Sequence, residues 1–166
     1  KSLMQYKYYL HLFAGMAMLE LGNLASSLAP FNVSAVSESL GANSQESGLV
    51  VTLELFFAAI SSLFFGTVSY KGKALAYCGS LIVICSYFLC SIASDVNQIT
   101  FIKAFSGIGC GMLIASGHSI LASSQDPNRS YALFTLFASL TAAFLIYISS
   151  TWIEDGGHSD YFVNFM

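Results

Sequence analysis

The chain has 166 residues, 55% of them hydrophobic and only 9% charged, with a net charge of −3 and a mean hydropathy of +0.68. A soluble domain carries roughly 25% charged residues, so this composition excludes an ordinary soluble globular protein. The weak acidic balance gives no reason to expect nucleic acid or any other charged macromolecule as a partner.

A bilayer span needs about 20 mostly apolar residues. Five runs qualify, at 8–30, 48–70, 74–94, 99–123 and 131–152, and a sixth apolar stretch starts at Tyr161 and is cut off at Met166. The connections hold the turn formers: 37–47 with Gly41 and Asn43, 70–73 with Gly72, 95–98, 125–130 with Pro127, and 154–160 with Gly156 and Gly157. The runs are long and continuous, whereas barrel strands alternate over about ten residues. Lipid offers the backbone no hydrogen-bond partner, so such runs must bond internally as helices. The expected fold is an all-α membrane protein, a polytopic helical bundle forming one transmembrane domain over 1–166. No cleavable signal peptide is visible, and without an initiator Met the start is expected to be trimmed.

The charges orient the bundle. Lys1 and Lys7 precede the first span, Lys71 and Lys73 lie between the second and third, and Arg129 lies between the fourth and fifth. If spans alternate, these three regions share one side, while Glu38, Glu46, Asp95, Glu154, Asp155 and Asp160 share the other with no Lys or Arg. By the excess of Lys and Arg in cytoplasmic loops, the amino terminus is cytoplasmic. A plasma membrane, in particular a bacterial inner membrane, is the expected location.

Charge inside a span is costly and usually faces an interior cavity. Three residues qualify: Glu20, Glu54 and Lys103. At about 1.5 Å per residue, Glu20 lies roughly mid-membrane, while Glu54 and Lys103 lie at similar depth towards the outer side and are placed to pair across helices. The plainer reading of Lys103 is a side chain snorkelling to the outer surface. Glu20, Asn23 and Ser27 share one helical face, as a cavity lining or as a structural hydrogen-bond patch. His11 and His118 are read as interfacial and His158 as solvated. Cys78, Cys85, Cys90 and Cys110 sit in apolar runs and are read as small packing residues. Gly107 and Gly111 form a GxxxG in the fourth span, with Gly109 between them, which lets helices approach closely. The sequons at Asn32, placed at a helix end, and Asn128, placed in the cytoplasm, are weak glycosylation candidates. No nucleophile, base and orienter set, no metal-ligand cluster and no cofactor motif is present, so neither an enzyme nor a cofactor is expected.

The run Ile99, Lys103, Ser106-Gly107-Ile108-Gly109-Cys110-Gly111 resembles the fourth-helix motif of the major facilitator superfamily, in which a basic residue follows an aliphatic one by four and glycines follow at G-x-G spacing. The usual Arg is Lys103 and the usual Gln is Ser106. The loop Gly66-Thr67-Val68-Ser69-Tyr70-Lys71-Gly72-Lys73 resembles the family's loop between helices two and three, keeping its glycines and basic residues, with Tyr70 for the usual Asp and one residue fewer. Leu28-Ala29-Pro30, Asp126-Pro127-Asn128-Arg129 and the entry to a sixth helix at 161–165 are similar too. The resemblance covers essentially the whole chain and implies the amino-terminal half of an alternating-access carrier, hence a fragment of something longer. The substrate site would lie against a second six-helix half of the same or another chain.

Two functions follow as expectations. The first is a secondary active transporter of a small solute. It is proton-coupled, because carboxylates whose surroundings alternate between apolar and cation-bearing take up and release protons. Its candidate coupling and substrate residues are Glu20, Asn23, Glu54 and Lys103, with Thr135 and Ser139 as further solute contacts. The alternative is a non-transporting membrane subunit that uses a transporter-like fold to bind a partner protein.

Overall fold

The computed structural model describes residues 2–67 and 72–156. Lys71, Tyr70, His158, Asp160 and the stretch from 161 lie outside them. The described residues form six helices and no strand: α1 (Ser2–Ser27), α2 (Ala29–Leu40), α3 (Ser44–Thr67), α4 (Gly72–Ile92), α5 (Val96–Ala122) and α6 (Pro127–Gly156). Helices α3 to α6 are each long and apolar enough to cross a bilayer, and the bent pair α1–α2 passes the same test only when taken together as one broken span. This is the build of a multi-pass helical membrane protein.

The first span departs from expectation. Instead of one helix over 8–30, α1 breaks at Leu28 and resumes as α2 at an angle of 48°. The cause is Pro30 at the start of α2, which has no N–H to donate back along the helix. The expected outer loop over 37–47 shrinks to Gly41-Ala42-Asn43. Gly41 closes α2 in the left-handed conformation at φ 64, where a Cβ would be strained. Asn43 caps α3 reciprocally: its Oδ1 accepts from the Gln45 and Glu46 N–H groups, and its own N–H donates to Glu46 Oε2 at 3.0 Å. Helix α6 starts earlier than 131 because Asp126 Oδ1 accepts from the Arg129 N–H and Pro127 suits a first helical position. It runs on through the loop expected from Glu154.

Helix α5 is the centre. It packs on α3, α4 and α1, and α6 touches the others only lightly. Three faces of α5 reach backbone contact because each carries glycine. A Cβ on Gly107 would fall on the Glu54 carbonyl oxygen, and one on Gly111 would lie 2.5 Å from the Ala58 oxygen of α3. Gly109 meets Gly79 of α4 reciprocally: a Cβ on Gly109 would lie 2.8 Å from the Gly79 oxygen, and one on Gly79 2.9 Å from the Gly109 oxygen. Gly117 would place a Cβ 2.7 Å from the Gly15 oxygen of α1, and Gly22 one 2.8 Å from the Cys110 oxygen. Among lipid tails there is little hydrophobic drive between helices, so close van der Waals approach through small residues supplies the packing.

These contacts also set direction. Residue numbers rise together along α3 and α5, and oppositely along α1 and α5 and along α4 and α5. Successive spans therefore alternate. Lys7, Lys73 and Arg129 gather at one end of the bundle and Glu38, Glu46 and Asp95 at the other.

Candidate functional site: a buried ion pair among three helices

Glu54 comes from the middle of α3 and Lys103 from the second turn of α5. Lys103 Nζ lies 3.4 Å from Glu54 Oε2 and donates to Oε1 at 3.5 Å. Lys103 is 1% exposed and Glu54 fully buried, so Lys103 does not snorkel to a surface. Its ammonium also sits over the Tyr87 ring of α4, 4.2 Å from the centroid, where the ring's negative face attracts a cation. The glycines place this centre. Gly107, one turn beyond Lys103, lets α5 rest on the backbone of Glu54 itself, and Ser61 Oγ then bonds the Ile108 carbonyl at 2.8 Å. The Gly109–Gly79 contact holds α4 close enough for Tyr87 to reach Lys103.

The pair retains polar capacity. Glu54 Oε2 accepts no hydrogen bond despite the ion pair, and the Ser106 hydroxyl, one turn from Lys103, has no partner. Asn32 Nδ2 and Ser47 Oγ, buried in α2 and at the start of α3, are likewise unpaired. Taking two charges out of water costs several kcal/mol per ion, which attraction offsets only when the geometry is good and the remaining polar atoms are bonded. Glu54 Oε2, within the pair, and the Ser106 hydroxyl, one turn away, keep unused hydrogen-bonding capacity.

The other predicted residues are not gathered here. Glu20 is 5% exposed and makes no hydrogen bond or ion pair among the described residues. It does not join Glu54 and Lys103, so the three charged candidates divide into a pair and a separate acid. Asn23 donates to its own helix at the Leu19 carbonyl, 2.9 Å away, so the Glu20–Asn23–Ser27 stripe makes no bond across helices through Asn23. Thr135 and Ser139 also donate to carbonyls of their own helix. Gly66 lies inside the last turn of α3 and Gly72 opens α4. Both are exposed, and a Cβ on either would meet nothing. Lys73 is exposed in the first turn of α4. Asn32 lies inside α2 and is buried, not at a helix end. Cys90 and Cys110 are packing residues as expected, but Cys78 and Cys85 face outward. His118 is exposed, with Nδ1 3.2 Å from the Tyr131 hydroxyl. Among the described residues no three His, Cys, Asp or Glu come together as a metal site.

Sequence reasoning missed Tyr87. Its only signal was a hydroxyl-bearing ring inside an apolar run, and nothing in that run ties it to Lys103. A cavity of about 300 Å³ borders Tyr87, lined by Leu21, Leu24, Val83, Ile84 and Phe88 between α1 and α4. It is apolar, and the buried ion pair lies behind the ring. Compared with protein-family models, curated proteins and solved structures, the chain finds no match.

Proposed function

We propose that the chain forms the amino-terminal half of a secondary active transporter of the major facilitator kind, moving a small solute by alternating access and coupled to protons. Its amino terminus is cytoplasmic, because the end of the bundle bearing Lys7, Lys73 and Arg129 is the basic one. A second six-helix half, in the same or another chain, supplies the opposite wall of the path. The observation that carries the reading is the Glu54–Lys103 pair, buried between two membrane helices with an oxygen of Glu54 left without a hydrogen bond. Ionisable groups within spans are rare and commonly mark solute and proton paths. Glu20 adds a second, unpaired acid on the helix that breaks at Leu28, and broken spans are where transporters place binding groups.

In this scheme Glu54 and Lys103 hold α3 and α5 together in one conformation, and Glu20 carries the proton. Replacing Glu20 by Gln in protein expressed at full gene length and reconstituted in proteoliposomes abolishes gradient-driven accumulation and spares solute exchange. Undiminished accumulation in that variant refutes the assignment.

The partner-binding subunit remains the second reading, and α6 favours it. Its apolar span packs only lightly on the rest of the chain, through Tyr131, Phe134 and Phe137, and leaves Leu136, Leu140 and Phe144 exposed. Co-purification of a stoichiometric partner, with no solute flux in proteoliposomes, decides for it.

A further inference from the structure

At the basic end of the bundle a groove of about 470 Å³ opens between α1, α4 and α5. His11 lines it from α1, Lys73, Tyr77 and Ser80 from α4, and Ser119 and Ser123 from α5. No carboxylate lines it. Lys73 makes no ion pair among the described residues, and none of the His11, Tyr77, Ser80 and Ser119 side chains is spent on a hydrogen bond there. A cation, an imidazole and three unspent hydroxyls thus converge on one concavity that no negative side chain enters.

The helix ends reinforce this. Gly72 and Lys73 belong to the first turn of α4, whose N–H groups have no partner within the helix and carry partial positive charge. The facing end of α5 would oppose an anion through its last carbonyls. Three of those carbonyls accept from hydroxyls: Ser123 Oγ donates to the Ser119 oxygen at 2.8 Å and the Ile120 oxygen at 3.1 Å, and Ser124 Oγ to the Leu121 oxygen at 2.7 Å.

We propose that this groove is an anion site for a phosphate group, with Lys73 as the charged contact, the His11 imidazole as an N–H donor and Ser80, Ser119 and Tyr77 as hydroxyl donors. It is independent of the transport reading and rests only on the chain being a membrane protein. Basic pockets between helices at the membrane surface suit lipid phosphates. The same donors would serve inorganic phosphate, so the test separates the two sources.

The protein is purified in a neutral detergent and titrated with phosphatidylglycerol, with phosphatidylcholine and with inorganic phosphate, and bound species are counted by native mass spectrometry. Charged hydrogen bonds of this kind separate ligands by about tenfold or more in affinity. Phosphatidylglycerol binding at least tenfold tighter than phosphatidylcholine, and lost to the same degree in Lys73→Gln and in Ser119→Val, supports a lipid headgroup. Inorganic phosphate binding with the same variant dependence, and no lipid preference, supports the free anion. Both positions are exposed, so these variants keep the fold. Arg129→Gln removes a charge from the same end, outside the groove. Equal loss in Arg129→Gln reduces the effect to general surface charge and overturns the site. So does binding of both anions that Lys73→Gln leaves unchanged.

Discussion

Replacing Lys103 by Met leaves the Glu54 carboxyl group buried with no cation beside it. At 3.4 Å the pair's attraction is about 5 kcal/mol with an effective dielectric near 20. Removing one partner of a buried pair commonly costs about 3–5 kcal/mol, because the remaining charge loses its compensation and keeps its desolvation. The loss of the Tyr87 ring contact adds to this, by about 1–2 kcal/mol in a desolvated setting. At roughly 2–4 °C per kcal/mol for a chain of this size, the combined loss of about 4–7 kcal/mol lowers the melting temperature in detergent by about 8–28 °C. The decisive comparison is the double variant Glu54→Met with Lys103→Met, in which both charges go and an apolar pair of similar bulk fills the space. The double variant recovers most of the lost stability, since apolar replacements of buried ion pairs are often neutral or stabilising. Melting followed by far-ultraviolet circular dichroism, with monodispersity by size-exclusion chromatography, reads both. If the two single losses simply add in the double variant, Glu54 and Lys103 act separately and the pair is not the unit described here. A double variant that is folded, stable and inactive in transport separates the role of the charges from any role in stability.

Three further outcomes follow from the same geometry. Gly111→Val forces α5 off α3, because even the first side-chain carbon would lie 2.5 Å from the Ala58 oxygen; the overpacking costs roughly 1–3 kcal/mol, and melting temperature reports it. Gly66→Val, at a glycine whose added Cβ meets nothing, leaves the melting temperature within about 2 °C as a surface change of at most ~0.5 kcal/mol, and a loss as large as that of Gly111→Val would remove the packing argument. For orientation, a single cysteine at Arg129 is labelled by an impermeant maleimide only after the membrane is opened and one at Glu46 is labelled in intact cells, in a background where Cys78, Cys85, Cys90 and Cys110 are serine or alanine; the reverse pattern inverts the bundle.

Much of the fold was legible because lipid simplifies the problem. Apolar length alone locates α3 to α6 to within a few residues, since only a helix can satisfy the backbone in hydrocarbon. The misread ends follow from local chemistry that hydropathy does not weigh. Ala29 to Leu40 is mixed in polarity and was assigned partly to a loop, yet it packs on α3 as a helix, with Val36, Val50, Cys90 and Ile99 sharing a core cluster. The advance of α6 to Pro127 rests on one side-chain cap at Asp126.

The site was half legible. Glu54 and Lys103 were paired from depth alone, because two charges at one level of a membrane have few other partners. Glu20 joins the candidates as a charge within a span, but α1 packs at Gly22 beside Cys110 and Ile114, beyond Lys103 along α5, so its level in the bundle sets it apart from the pair. Tyr87 was invisible because its role depends on α4 lying against α5, and that distance is set by a glycine contact between residues 79 and 109.

The sequence by itself determined that the chain is a set of long apolar helices and which ends carry which charge, because those properties depend on length, polarity and order along one chain. The tertiary structure decided which helix is central, that Lys103 faces Glu54 and Tyr87 instead of lipid or water, and that Lys73 and His11 share a groove. Those properties depend on the rotation and separation of neighbouring helices. Both are set by where two backbones can touch, and that depends on glycines from different parts of the chain meeting in space.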